Sequence, residues 1–239
     1  MSRAPEPGRR RRLPTSAYTA PMDCDDNESR ARREAMVDEQ LDACADPAVR
    51  AAMLAVPRHR FIPFELRPRA YEDTALAIDA GQTISQPRLV AHMLALLAID
   101  AGDLVLDIGC GSGYVSALLA RLVAPGGQVY AVERQPALVG HARDPLSELA
   151  PHVHLRLGDG LLGLPEHAPY DAIHVAAACP RIPRALREQL AIGGRLVLPV
   201  GPYGDTQELM LIERTVDGWR ETAHGAVRFV PGLPGVPSA

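Results

Sequence analysis

Three acidic residues stand where a chain most readily grips a small ligand. Asp107 lies within Val105-Leu106-Asp107-Ile108-Gly109-Cys110-Gly111-Ser112-Gly113-Tyr114, an apolar run that breaks into alternating glycines. Glu133 closes Val129-Tyr130-Ala131-Val132-Glu133, and Asp159 sits between Gly158 and Gly160. Glycine is needed where a turn is tight or a ligand must approach bare backbone. The spacing is GxGxG, and Tyr114 occupies the place of the third glycine in a dinucleotide fingerprint. A carboxylate at position 107, two residues ahead of that turn, is expected to repel a pyrophosphate and to suit a sulfonium and an ammonium. The expected cofactor is therefore S-adenosyl-L-methionine, with Asp107, Gly109, Gly111 and Gly113 forming its cradle. Glu133 is expected on the ribose hydroxyls, and Asp159 with Gly160 at the adenine. A nicotinamide dinucleotide is the competing ligand.

A second cluster is Ala80-Gly81-Gln82-Thr83-Ile84-Ser85-Gln86-Pro87. Pro87 suits the first turn of a helix, and Ser85 or Gln86 its cap, so unpaired amides and a positive dipole end are expected beside Ser85. Such a place accepts an anion. Ser85 is the candidate catalytic residue, acting as a hydrogen-bond donor that orients a carboxylate and not as a nucleophile. No obvious His–Asp pair accompanies it, and none is required, because a carboxyl with a pKa near 4 is about 99.9% ionised at pH 7.

Several chemistries are excluded. All 25 basic residues are arginine, which removes Schiff-base chemistry through lysine and the lysine of a P-loop. His152 and His154 alternate like half a metal site without a third ligand at sensible spacing, so no metal is expected. Four widely spaced cysteines form neither a disulfide framework nor a zinc knuckle. A net charge of −4 argues against a nucleic-acid footprint. No apolar run is long enough to span a membrane. Lacking a secretory or transit signature, the chain is expected to be cytoplasmic; its oligomeric state is left open.

The elements that must position these residues follow from the hydrophobic period. Residues 1–28, rich in Arg, Pro, Ser and Asp, read as a disordered tail. Residues 29–239 read as one domain, with a helical and acceptor-site region to residue 100 and a cofactor-binding core from 101. Helices are expected from about Ser29, from Pro47 to Val56, and from Pro87, with an extended connection through Pro57, Pro63 and Pro68. Strands at 104–108, 128–132, 152–157, 171–176 and 195–200 alternate with helices at 114–123 and 138–149, the latter interrupted at Pro145. This alternation implies an α/β fold with a parallel sheet. Residues 208–213 and 226–230 are expected to pair as an antiparallel hairpin at a sheet edge.

The chain also resembles the protein-L-isoaspartate O-methyltransferase family across residues 33 to 232. The resemblance is carried by Val56-Pro57-Arg58-His59-Arg60-Phe61-Ile62-Pro63, Ala70-Tyr71-Glu72-Asp73, Gly81-Gln82-Thr83-Ile84-Ser85-Gln86-Pro87 and the glycine turn. It continues through Gly158-Asp159-Gly160, Gly193-Gly194-Arg195-Leu196-Val197-Leu198-Pro199-Val200-Gly201 and Phe229-Val230-Pro231. It implies a seven-stranded, mostly parallel sheet of the class I (Rossmann-like) methyltransferase type with an N-terminal helical extension. It further implies S-adenosyl-L-methionine as donor, isoaspartyl-containing proteins or peptides as acceptors, Ser85 at the active-site serine position and Thr83 beside the cofactor. The family usually has Pro-Ile-Gly where this chain has Ala77-Ile78-Asp79, which sets an acid beside the expected acceptor site. Two other functions fit the same residues: a methyltransferase dedicated to one aspartate of a natural-product precursor peptide, and a non-catalytic cofactor-binding interaction protein.

Overall fold

The computed structural model describes residues 25–41 and 46–237; of the tail expected over residues 1–28, residues 1–24 lie outside it, and Asn27 and Glu28 belong to a helix and not to a tail. The first helix starts earlier than its apolar residues indicate. Helix α1 spans Asn27–Gln40, because the Asp26 carboxylate caps it by accepting from the Ser29 amide at 2.7 Å. Helix α2, Pro47–Ala55, is capped by Asp46 and carries Pro47 in its first turn, as expected. The proline-marked connection is extended at Pro57 and Pro63, which precede two 3₁₀ turns, Arg58–Phe61 and Phe64–Arg69; only the second holds a proline, Pro68, whose fixed φ is also that of a 3₁₀ turn.

A two-stranded ribbon follows, β1 (Leu76–Ala77) against β2 (Thr83–Ile84), and leads to α3 (Pro87–Leu97). Then come β3 (Leu104–Ile108), α4 (Tyr114–Leu122), β4 (Gln128–Glu133), α5 (Pro136–Leu149) and β5 (Val153–Leu157). The chain continues through β6 (Tyr170–Val175), the short α6 (Arg184–Glu188), β7 (Leu190–Val200), β8 (Gln207–Thr215) and β9 (Gly218–Val227). Helix α5 runs through Pro145 without a break. It forgoes the one bond that the missing N–H would have given, and Pro145 is buried against the core.

Strands β3 to β9 form one seven-stranded sheet in the order β5-β4-β3-β6-β7-β8-β9, with only β8 antiparallel to its neighbours. The late hairpin is present but is longer and tighter than its apolar segments indicate. Residues 218–225, expected as loop, belong to β9, and the turn falls at Val216-Asp217.

Helices α1 to α5 pack on one face of the sheet, where Val105, Val129, Ala172 and Val197 meet Met36, Met53, Leu94, Leu118 and Leu146. The opposite face buries Leu106, Ile108, Val132, Ile173 and Leu196 beneath Leu186 of α6. Alternate residues of one strand thus enter different cores, which is how a sheet covered on both faces divides its side chains. The strand order reverses between β3 and β6, and ligands of open α/β sheets bind in the crevice outside the strand ends at such a point.

Candidate active site

At that reversal a crevice opens, floored by Ile108 and Gly109 at the end of β3, Val132 and Glu133 at the end of β4, and Ala176 just after β6. The β2 ribbon supplies one wall with Gln82, Thr83, Ile84 and Ser85, and residues 230–233 supply another. Gly109, Gly111 and Gly113 have φ of 71°, 57° and 91°, left-handed values that side chains rarely adopt. Gly109 and Gly111 line the crevice. Gly113 does not. It is buried under α5, where an added Cβ would lie 2.9 Å from Leu146 Cδ1, so it serves helix packing.

Glu133 is buried but lines the crevice. Its Oε2 accepts from the Gly111 amide at 3.0 Å and its Oε1 from the Gln135 amide at 2.9 Å. Each oxygen has a second lone pair beyond the bond it accepts, so a carboxylate on this wall both shapes the glycine turn and has acceptor capacity left for a diol.

Two expected contacts are corrected. Asp107 is fully buried and faces away from the crevice. It accepts from Ser116 Oγ of α4 at 2.5 Å and meets His174 Nδ1 at 2.8 Å, His174 being its register neighbour on β6. Strand alternation is the reason: Asp107 shares the face of Val105, and Leu106 and Ile108 take the other. Asp107 therefore holds strand, helix and neighbouring strand together and does not select the ligand by its charge. Asp159 is likewise engaged by the chain itself. Its Oδ1 accepts from Leu161 N at 3.0 Å and its Oδ2 from Gly235 N at 2.7 Å, so it ties down the C-terminal segment and does not line the cavity. Gly160 does line it, and lies so close to Ile108 that a Cβ would fall 2.5 Å from Cγ2.

On the acceptor side Thr83 and Ser85 reach the crevice, but the open helix start does not exist. Gln86 is the N-cap of α3 without a side-chain bond, Pro87 has no N–H, and the Arg88 amide donates to Asp73 Oδ1 at 3.0 Å. The anion at this helix start is the chain's own Asp73. Asp79 ion-pairs with His141 of α5, which accounts for an acid so near the acceptor site: its charge is directed at a helix and lines neither the crevice nor the pocket beside it.

Sequence reasoning missed several wall residues, among them Ser112, Arg134, Gln135, Leu161 and Leu233. Arg134 donates to the carbonyls of Gly235 at 2.8 Å and Pro234 at 3.3 Å, roofing the crevice with the end of the described chain. A guanidinium engaged in this way is no phosphate clamp. Apolar walls at Ile84, Val115, Val132, Leu138 and Leu161, with Glu133 in their midst, fit a nucleoside that carries no phosphate. Among the described residues no group of three potential ligands gathers for a metal ion, and Cys110 and Cys179 are free. Burial pushes the Cys110 thiol well above its usual range and that of Cys179 to about 11, so neither is a nucleophile at neutral pH.

Fold and site together define a class I, Rossmann-like S-adenosylmethionine methyltransferase. Comparison with known proteins narrows the class. The family model for protein-L-isoaspartate(D-aspartate) O-methyltransferase matches residues 31–235. A protein-L-isoaspartate O-methyltransferase of Aeropyrum pernix is 55% identical over 183 residues, 75% of this chain and 70% of that protein. Another, of Pelobacter propionicus, is 48% identical over 90% of this chain and 96% of its own length. Among solved structures, a protein-L-isoaspartate O-methyltransferase superposes with a TM-score of 0.75 at 28% identity, over 84% of this chain and 65% of that one. A Plasmodium falciparum structure, described as a complex with S-adenosyl-L-homocysteine, also gives 0.75, at 25% identity over 87% and 99%. The chain belongs to the protein-L-isoaspartate(D-aspartate) O-methyltransferase family.

Proposed function

We propose that this protein transfers a methyl group from S-adenosyl-L-methionine to the free carboxylate of L-isoaspartyl residues in damaged proteins or peptides. The observation that carries this reading is the convergence of Ser85 and Glu133 on one crevice in a chain of this family. The cofactor supplies a methyl group already activated on a sulfonium. What remains for the chain is to bind, orient and exclude water. Glu133 takes the ribose hydroxyls, Gly109 and Gly111 give the methionine portion bare backbone, and Gly160 with Leu161 bounds the adenine. Thr83 lies on the cofactor's side of the ribbon. Ser85, which lines both cavities, would hold one acceptor oxygen and leave the other to take the methyl group. The backbone nitrogen of the next residue then attacks the ester carbonyl and expels methanol, closing a succinimide whose hydrolysis returns some normal aspartate.

The reading places the enzyme in the cytoplasm; no helix of the described residues is long and apolar enough to cross a membrane. Its test is a pair of peptides that differ only in an isoaspartyl or aspartyl linkage. With labelled S-adenosyl-L-methionine, the isoaspartyl peptide gains a base-labile methyl group and its twin does not. Equal labelling of both would sink the assignment.

A further inference from the structure

Beside the crevice lies a smaller pocket lined by Ala75, Gln86, Leu89, Arg228 and Phe229, and it shares Thr83, Ser85, Ala176 and Val230 with the crevice wall. The two cavities therefore meet at Ser85, where methyl donor and acceptor must meet. We infer that Arg228 is the carboxylate-binding residue of this pocket, and that it forms an ion pair with the acceptor's free carboxylate while Ser85 positions it. This inference rests on the isoaspartyl reading and adds to it the residue that recognises the charge.

Three observations support the assignment. First, Arg228 is exposed, and among the described residues no carboxylate lies within ion-pair distance of it; nearby Arg88 is paired with Asp73 at 3.4 Å. Arg228 is also the one charged residue on the pocket wall, so an anion entering there meets a single cation and no competing acid.

Second, the backbone that carries it is pinned. The Phe229 amide donates to buried Gln207 Oε1 at 2.8 Å, and the Val230 carbonyl accepts from the Ala178 amide at 2.8 Å. Gln207 is itself fixed by donating to the carbonyls of Pro202 at 2.8 Å and Asp205 at 2.6 Å. A long cationic side chain thus starts from a rigid base, which lowers the entropy lost when it grips a ligand.

Third, the cations of the two cavities differ in what they hold. In the crevice Arg134, beside Glu133, is engaged by the carbonyls of Gly235 and Pro234, whereas Arg228 lies in the neighbouring pocket, with Thr83 and Ser85 lining both. A planar guanidinium also matches a carboxylate with two parallel hydrogen bonds, which a lysine cannot copy.

The test uses the full chain, S-adenosyl-L-homocysteine and two peptides, one isoaspartyl and one with neutral isoasparagine in its place. Wild-type protein is expected to bind the acid at least tenfold more tightly than the amide. Arg228→Gln levels that preference, raises KM for the isoaspartyl peptide by about tenfold and changes kcat less. It leaves S-adenosyl-L-homocysteine affinity unchanged, which also shows that the variant is folded. Arg228→Lys restores part of the preference, and added salt raises KM in the wild type but not in Arg228→Gln. If the wild type methylates the isoaspartyl peptide and Arg228→Gln keeps the same KM and the same acid-over-amide preference, this inference alone is overturned. If the wild type neither binds nor methylates it, the isoaspartyl reading falls as well.

Discussion

Asp107 and Glu133 are two buried carboxylates near the same glycine turn, and they perform different tasks. Asp107 has both its oxygens engaged inside the protein, so Asp107→Ala leaves Ser116 Oγ and His174 Nδ1 facing a void. Breaking such a buried charged network costs about 3 kcal/mol, or roughly 6–12 °C in melting temperature for a chain of this size. Thermal unfolding followed by circular dichroism measures it, and an unchanged melting temperature would refute the anchoring role. Glu133→Gln replaces one of its two acceptor oxygens with a donor, which sets an N–H against the Gly111 or Gln135 amide and removes an acceptor from the diol site. It is expected to weaken S-adenosyl-L-homocysteine binding by about tenfold, one charge-assisted bond; calorimetry giving equal affinities would contradict the ribose assignment. The sequence shows that acids stand at these strand ends, but not which way they point. In a strand buried on both faces, inward and outward positions are equally apolar, so Asp107 carries no mark of its face. Asp159 was hidden for another reason: its partner, Gly235, lies 76 residues away.

At the scale of elements, the parallel strands β3 to β6 were legible, the outer β5 among them, whereas β7 begins five residues earlier than expected and most of β9 was read as loop. Strand β3 lies where its apolar run places it, at Leu104–Ile108, because both of its faces are covered. Strand β9 is the far edge of the sheet and mostly exposed along its length, so Gly218–Val227 has no period of two to read. Its identity comes from pairing with β8, which is tertiary information. The unbroken passage of α5 through Pro145 is similar, since packing outweighs the local cost of proline. The junction of α4 and α5 offers a direct test. Gly113→Ala forces a side chain into a left-handed backbone and against Leu146 Cδ1 at 2.9 Å. A loss of about 1–3 kcal/mol is expected in urea unfolding. Stability equal to wild type would show that the turn relaxes freely.

Over the whole molecule, one ion pair fastens the start of the N-terminal region upon itself and another ties the turn that follows α2 to α5. Arg33 is held by Asp25 through bonds of 2.8 and 2.7 Å and also reaches the Tyr71 hydroxyl, and Arg60 bonds Glu148 of α5 at 2.5 Å. The hydrogen bond from Arg33 holds the Asp25 carboxyl below its ordinary pKa, and Arg60 does the same for Glu148. A depressed folded pKa gives stability that is complete above the unfolded value near 4 and is lost as pH falls through the folded one. The urea midpoint should therefore drop on acidification below about pH 4. Asp25→Asn should flatten that limb and leave the neutral plateau lower; parallel limbs for variant and wild type would exclude this contribution. The roof of the crevice has a different consequence. Residues 230–235, clasped by Arg134 and Asp159, come after every strand of the sheet in chain order. During synthesis on the ribosome the glycine turn and Glu133 emerge long before that roof, so a nascent chain has the floor of its nucleoside site without a lid. If the crevice holds the methyl donor, its roof can close only after the last strand has emerged.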